Sequence, residues 1–479
     1  MTCEELEILV KKYEILKTET QIIEIKSAHD GCPTRLYDTL SSFSNQDDGG
    51  TVLFGVDEKS GFLLVGVYDP HDLQKKVTEQ CNQMIPMVRP VFTIAEIAGK
   101  QFVSAEIPAV DISERPCFYG GKGRLKGAYV RVGDADELMT EYEIYSYEAY
   151  RKKYQDDVRI AERAAFDVLD QAAISEYIYK LKENKPNLSQ LHDARIYELM
   201  SLTIGGKSTL ASVLLFSPYP QAYYPQLCII ATTVPGTEMG DVGADGERFL
   251  DNKRIEGSIP QMLENAITFV RNNMKTKTKI DKTTGVRTDV TDYPITAVRE
   301  AILNALIHRD YSIHTEGKPI QVTMYDDRME IISPGGLYGR LGIDQLGKVQ
   351  PDTRNPVLAT ALETLGKTEN RYSGIPTIYK AMRENNLSDP VFADERGSFI
   401  VRLYKTQPGA AQKNYSEYKS LVEFCAIPRS RKEISEYLGL SSMTYAISRH
   451  VAPLIEQGVI KMTIPERPSS SKQRFVVVQ

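Results

Sequence analysis

The sequence lacks an excess of basic charge. Its 479 residues carry 58 Lys and Arg against 64 Asp and Glu, a net charge of −6. That balance excludes a globally basic nucleic-acid coat and confines any such binding to local patches. Cysteine is sparse: six residues, Cys3, Cys32, Cys81, Cys117, Cys228 and Cys425, with no CxxC and no Cys/His cluster. This scatter excludes a structural zinc site and points to a reducing compartment. No apolar run approaches the ~20 residues of a membrane span. The opening MTCEELEILV has no signal-like apolar core, so a cytoplasmic protein without membrane contact is expected. No internal repeat or low-complexity tract is visible. Gly205-Gly206-Lys207-Ser208 looks like the tail of a Walker A loop, but Ser201 stands where that motif needs Gly, and no strand precedes it. With no second nucleotide lobe either, the sequence reads against a helicase motor.

What is present centres on Thr296–Ser312, TAVREAILNALIHRDYS. It reads as a helix, with Thr296 as N-cap behind Pro294. Ala301, Ile302, Leu303, Ala305, Leu306 and Ile307 make it apolar. Glu300, Asn304 and His308 interrupt that surface at a spacing of four, which puts them on one face. A polar stripe on a buried helix needs partners, in the protein or in a ligand. The alternative is an N-terminal charge, a satisfied core Asn and a boundary His. Next come two predicted strands, Ile320–Tyr325 and Arg328–Ser333, the second leaving through Pro334-Gly335-Gly336. Tyr372-Ser373-Gly374-Ile375-Pro376 then opens a helix over Ile375–Asn385, and a helix amino end beside Gly can receive phosphate.

These segments, REAILNALIHRDYS, RMEIISPGGL, the RNP at Arg354–Pro356 and ENRYSGIPTI, resemble the gyrase–histidine-kinase–MutL (GHKL) ATPase fold. The likeness is to its divergent branch in bacterial proteins labelled RecG-like helicases or HTH regulators, and it spans Leu202 to Leu403. The resemblance implies ATP and Mg²⁺ as cofactors. Asn304 would hold Mg²⁺ and Glu300 would be the base for ATP hydrolysis. His308, Ser333, Gly335, Gly336, Ser373 and Gly374 would join Asn304 in binding nucleotide. Two positions depart from the pattern: Ser333 replaces the Asp that reads adenine, and Tyr372 replaces a Gly of the second Gly-rich box.

Nearer the start, a helix is expected over 1–17, a strand over Glu19–Lys26, a helix over Pro33–Gln46 and a strand over Thr51–Val56. A hairpin Val91–Ile97/Gln101–Ile107 and a strand Gly127–Val132 follow. ETQIIEIK, GGTVLFGVDEKSG and GAYVRVGDAD resemble the Schlafen-type AlbA module. That resemblance implies nucleic-acid binding and, through Glu19, Glu24 and Asp57, a nuclease site with a second divalent metal. The competing reading is a strand flank, a solvated Glu24–Lys26 pair and a turn start. Arg115, Lys122, Arg124, Lys126 and Arg131, with Tyr119 and Tyr129 in a Gly-rich loop expected to be mobile, suit phosphate and base contact; an ordinary hairpin reads as well.

From Ala411 the balance turns basic, with 10 Lys and Arg against 6 Glu. Three helices and a strand pair, Val459–Thr463 with Arg474–Val478, read as a winged helix–turn–helix. Thr444, Tyr445, Ser448 and Arg449 would face DNA. The expected architecture is thus α/β multidomain, in an order of three parts. Residues 1–150 form an AlbA-like α/β module. Residues 151–405 form a helical bridge and a GHKL-like α/β sandwich, and residues 411–479 a winged helix–turn–helix. Expected partners are DNA or RNA and ATP, with a homo-oligomer left open. Three functions compete: a nucleotide-responsive regulator of transcription, a metal-dependent nuclease gated by nucleotide, and a hub with a decayed nucleotide site.

Overall fold

The computed structural model describes residues 1–280, 287–339, 342–350, 352–367, 373–395, 397–405, 421–438, 447–456, 458–464 and 473–477. The chain divides into two compact units, Met1–Arg151 with Ala411–Gln479, and Lys152–Ala410.

In Met1–Arg151 a four-stranded sheet runs in the order Ile23–Lys26, Gly50–Phe54, Lys100–Ile107, Val91–Ile97; the first pair is parallel and the rest antiparallel. Alternation along the strands feeds two cores. Val52, Phe54, Val103 and Ala105 join Leu36, Leu40, Phe43, Leu73 and Val77. Leu53, Phe102, Ile23 and Ile25 join Leu6, Val10 and Tyr13 of the helix Cys3–Leu16. Several elements are shorter than expected. The first strand starts at Ile23 because Thr20 and Ile23 bond to each other in a tight turn. The second helix is Tyr37–Ser44, because Gln80 holds the stretch before it through the Leu36 N–H and the Pro33 carbonyl. The strand expected over Thr51–Val56 breaks at Gly55, whose positive φ lies against the Phe102 ring. A helical turn, Arg124–Gly127, precedes the strand Tyr129–Val132.

Arg131 on that last strand is buried, and it gathers three carboxylates. Its guanidinium meets Glu24 Oε2 at 2.8 Å, Asp136 Oδ1 at 2.9 Å and Glu19 Oε2 at 3.9 Å. Lys26 also pairs with Glu24. Glu19 Oε1 accepts the Ile25 N–H at 2.7 Å. Burial, then the neighbouring Glu24, push the Glu19 carboxyl up to about 7.

In Lys152–Ala410 a six-stranded sheet runs Asp251–Ile255, Ile229–Thr233, Ile320–Met324, Arg328–Pro334, Ser398–Tyr404, Val391–Asp394. Only the pair Ile229–Thr233/Ile320–Met324 is parallel. Gly205 and Gly206, both at positive φ, are the two-residue turn between the paired strands Thr203–Ile204 and Lys207–Ser208. Thr209 then caps the helix Leu210–Phe216. This geometry accounts for the Gly pair without a Walker A loop. The helix Ile295–His308 packs between Ile259–Asn273 and Gly374–Glu384 over the strand Arg328–Pro334. Its N-cap is Pro294 rather than Thr296, and no side chain bonds there.

The loop leaving this central helix is pinned by Arg309, one of the largest fully buried side chains. It donates to the main-chain carbonyls of Asp310, Thr315 and Lys318 at 3.3, 3.2 and 3.0 Å and lies 5.0 Å over the Tyr311 ring. The last described segments are helices Leu421–Phe424 and Arg431–Tyr437, a wider turn Ile447–Val451 running into Ala452–Glu456, and antiparallel strands Ile460–Met462 and Phe475–Val477. Phe424, Ile434, Val451, Ile460 and Phe475 form their core.

Two stability outcomes follow. Arg309→Met keeps bulk but removes three donated bonds and leaves the Lys318 carbonyl without its donor, while the Asp310 and Thr315 carbonyls keep the Thr315 hydroxyl and the Lys318 N–H; it is expected to cost about 3 kcal/mol, read as a lower urea midpoint at unchanged slope. For Glu19 the folded pKa lies above its ordinary 4.5, so its favourable share is complete below that value and is lost as pH rises through about 7. Glu19→Gln keeps the Ile25 acceptor. It should therefore raise protection of the Ile23–Lys26 amides in hydrogen exchange at pH 8, by up to about 3 kcal/mol, and much less at pH 5. Equal effects at both pH values would refute the linkage.

Candidate functional site

One pocket in the second unit collects Glu300, Asn304, His308, Ser333, Gly335, Gly336, Ser373 and Gly374. The sequence separates these residues into three stretches, and the fold brings every one of them to the same wall or rim. The floor is a sheet face. Ile331 and Ser333 alternate onto it and sit beside Val401 and Phe399 of the neighbouring strand. The central helix supplies one wall with its polar stripe. The amino end of Gly374–Glu384 comes close to that stripe: a Cβ on Gly374 would lie 2.5 Å from Glu300 Oε1 and 3.0 Å from Asn304 Nδ2. Gly335, at φ 100°, lets the strand exit pass over Asp310 and Arg354 where a side chain would collide.

The RNP triplet divides three tasks among three residues. Arg354 lines the pocket. Asn355 is fully buried and donates through Nδ2 to the Ile307 and Arg309 carbonyls, both at 2.8 Å. Pro356 opens the helix Pro356–Thr364. Asp157, about 200 residues earlier, caps that helix by accepting the Val357 and Leu358 N–H groups at 2.9 and 3.2 Å. Burial pushes the Asp157 carboxyl up to about 6 despite those two bonds. His308 is exposed where it lines the pocket; desolvation by the surrounding protein, then the charge of Arg354, push its imidazole below the ordinary value. Ser333 is buried, and its hydroxyl donates to the Ala305 carbonyl at 3.2 Å. Sequence reasoning quoted Arg354 within a motif and gave it no role. Tyr372 lies outside the described residues.

The acids expected to form a nuclease site do not assemble as one. Glu19 and Glu24 meet, but at Arg131. Asp57 closes its own turn, accepting the Lys59 N–H at 3.2 Å and the Ser60 hydroxyl at 2.6 Å. Among the described residues no group of three or more His, Cys, Asp or Glu side chains is placed to hold a metal ion.

The basic stretch expected to be mobile is largely built in. Arg115 is held by Asp47 and the Gln46 and Val110 carbonyls, Arg131 by its carboxylates, and Arg124 by Glu148. Tyr119 stacks on Tyr37 at 3.8 Å. Lys122 and Lys126 stay exposed. Thr444 and Tyr445 lie outside the described residues; Ser448 and Arg449 fall in the turn Ile447–Val451, where only the backbone is described. No helix among the described residues is long and apolar enough to cross a membrane.

Comparison with known proteins adds three family matches. Residues 19–140 match "Schlafen, AlbA_2". Residues 317–403 match "Putative ATP-dependent DNA helicase recG C-terminal". Residues 417–477 match "Filamentation induced by cAMP protein Fic-like, C-terminal domain", a likeness the sequence reading did not contain. No curated protein matches the chain. Among solved structures, a crystal structure of a Corynebacterium diphtheriae protein is 18% identical, covering 99% of this chain and 97% of that one, with a TM-score of 0.40. The solution structure of the N-terminal domain of a RecG-related protein from Nitrosomonas europaea is 25% identical, covering 30% of this chain and 97% of that one, with a TM-score of 0.23. The AlbA_2 match thus lies over the N-terminal sheet and the recG C-terminal match over four strands of the central sheet, so these two parts of the chain are similar to those two families.

Proposed function

We propose that the pocket binds a nucleoside triphosphate with Mg²⁺, and that the chain is a nucleotide-responsive, nucleic-acid-binding regulator. The observation that carries this reading is the convergence of the Glu300–Asn304–His308 stripe, the Gly335-Gly336 exit and the Ser373-Gly374 helix start on one pocket. The residues fit the group. Gly335 lets Arg354 and Gly374 lets Glu300 and Asn304 lie against the main chain at the pocket, where a Cβ would collide, and a buried nitrogen of Arg354 has no hydrogen-bond partner. Asn304 offers a hard amide oxygen to Mg²⁺, and Glu300 a carboxylate that accepts a proton from water. Bound Mg²⁺ would supply charge neutralisation at the phosphate oxygens.

Support for nucleic acid as partner comes from the AlbA_2 match and from the name of the recG C-terminal family. The exposed Lys122 and Lys126 and the basic balance after Ala411 supply charge for it. The described C-terminal order of helices and a strand pair suits a winged helix that contacts DNA. Binding is favoured over cutting because Arg131 and Lys26 already pair with Glu24, and Glu19 beside them is partly buried with a raised pKa.

Calorimetry with a non-hydrolysable ATP analogue tests the pocket. Wild type is expected to bind in the presence of Mg²⁺, and Asn304→Ala to bind about tenfold more weakly, because it loses a metal ligand. Glu300→Ala should bind as well as wild type while any turnover drops by about 10²–10⁴-fold. No binding by wild type at millimolar nucleotide would defeat the reading. For the second arm, affinity of the full chain for labelled DNA or RNA should fall steeply with salt and change when nucleotide is added; insensitivity to nucleotide would leave a binder without regulation.

A further inference from the structure

We infer that Arg354 is the anion handle of the pocket, taking the terminal phosphoryl oxygens of a Mg²⁺-carrying polyphosphate together with the amino end of Gly374–Glu384. The inference rests on the nucleotide reading for its ligand and adds the residue and the part of the ligand it meets.

Arg354 is 5% exposed, and its guanidinium is only partly used. Nη2 donates to the Gly336 carbonyl at 3.3 Å. The Asp310 carboxylate stands 3.8 Å from Nη1, too far for a hydrogen bond, and its other oxygen accepts the Ser312 N–H at 2.8 Å. Nη1 itself is buried without a hydrogen-bond partner. Leaving charged N–H groups unmet inside a protein is costly, and a ligand or an ordered water at this pocket wall would meet them.

The side chain is also fixed in place. Asn355 ties the next residue to the Ile307 and Arg309 carbonyls, Asp157 caps the following helix, and the guanidinium lies 5.1 Å from the Tyr338 ring. Gly335 leaves the space that Nη1 fills. A guanidinium held this way loses little freedom when it binds, and its planar fork suits phosphate oxygens.

The rest of the lining selects the class of anion. Ser373 and Gly374 open an 11-residue helix whose first N–H groups have no intrahelical acceptor. The carboxylates Glu300 and Asp352 also line the pocket. A simple anion would gain at Arg354 and lose at these carboxylates. A polyphosphate carrying Mg²⁺ presents oxygens to the first and a cation to the second.

The test uses the full chain and calorimetry with Mg²⁺–tripolyphosphate, the Mg²⁺–ATP analogue and adenosine. Arg354→Gln should weaken both polyphosphate ligands at least tenfold and leave adenosine unchanged, and Arg354→Lys should recover part of the loss. A readout on wild type guards against a variant that fails to fold. Its Arg354 side-chain Nε–H signal, identified by its absence from Arg354→Lys, should move on adding Mg²⁺–tripolyphosphate. An unmoved signal, or equal polyphosphate binding by wild type and Arg354→Gln, overturns the inference while the nucleotide reading stands. Wild type that binds tripolyphosphate but no nucleotide keeps the inference and removes that reading. Wild type that binds neither removes both.

Discussion

The central helix ends inside the protein, and its last carbonyls have to be satisfied without water. This constraint organises the pocket. Ser333 gives its hydroxyl to the Ala305 carbonyl, Tyr311 to Leu306, and Asn355 its amide to Ile307 and Arg309. The Ala305 carbonyl also accepts the Arg309 N–H; a buried carbonyl such as that of Leu306 or Ile307, left without its side-chain donor, costs about 1–3 kcal/mol. Each donor carries part of the pocket with it. Ser333 brings the Gly335-Gly336 exit, and Asn355 brings Arg354. Capping the helix and assembling the site are one event in the fold.

The same constraint accounts for Ser at position 333. The helix carboxyl end carries partial negative charge. A carboxylate there would face the Ala305 carbonyl instead of donating to it. The hydroxyl suits the cap, and the pocket forgoes a carboxylate acceptor for an adenine amino group at that position. Its lining includes the cation Arg354, which donates to the Gly336 carbonyl and lies near enough to lower the His308 pKa. On the proposed nucleotide reading, recognition would fall mainly on the phosphate end of the ligand. A base held by hydrogen bonds from Ser333 would compete with the helix cap for the same hydroxyl proton.

Much of this was legible in the sequence because it is periodic. Spacing of four put Glu300, Asn304 and His308 on one helix face, and alternation put Ile331 and Ser333 on one sheet face. Strand pairs such as Ile320–Met324/Arg328–Pro334 and the turn at Gly205-Gly206 were also local. What was not legible depends on partners distant in the chain. Nothing in the Gly-rich stretch shows that Arg131 belongs to Glu24 or that Arg115 belongs to Asp47, more than 60 residues away. The AlbA resemblance implies Asp57 as a metal ligand; in the structure it accepts from Lys59 and Ser60 in a local turn, which was the competing reading. Asp157 capping a helix some 200 residues on has no local signal.

The buried arginines show how a structural cation differs from one that waits for a ligand. Arg115 is met at Nε, Nη1 and Nη2 by a carbonyl, a carboxylate and a second carbonyl. Arg131 fills both terminal nitrogens with carboxylates. Arg309 is ringed by main-chain carbonyls. Where other arginines among the described residues leave a buried nitrogen unmet, at Arg124, Arg131, Arg159 and Arg431, it is Nε, which carries a single proton on the stem side of the guanidinium. At Arg354 it is Nη1, a terminal nitrogen with two protons at the end of the fork. Packing can shield an Nε that lies along a side-chain stem; Nη1 of Arg354 instead lies at the end of the fork, against Gly335 and 3.8 Å from the Asp310 carboxylate. The distinction lies in which nitrogen is left over, and it separates Arg354 from arginines that hold the fold together.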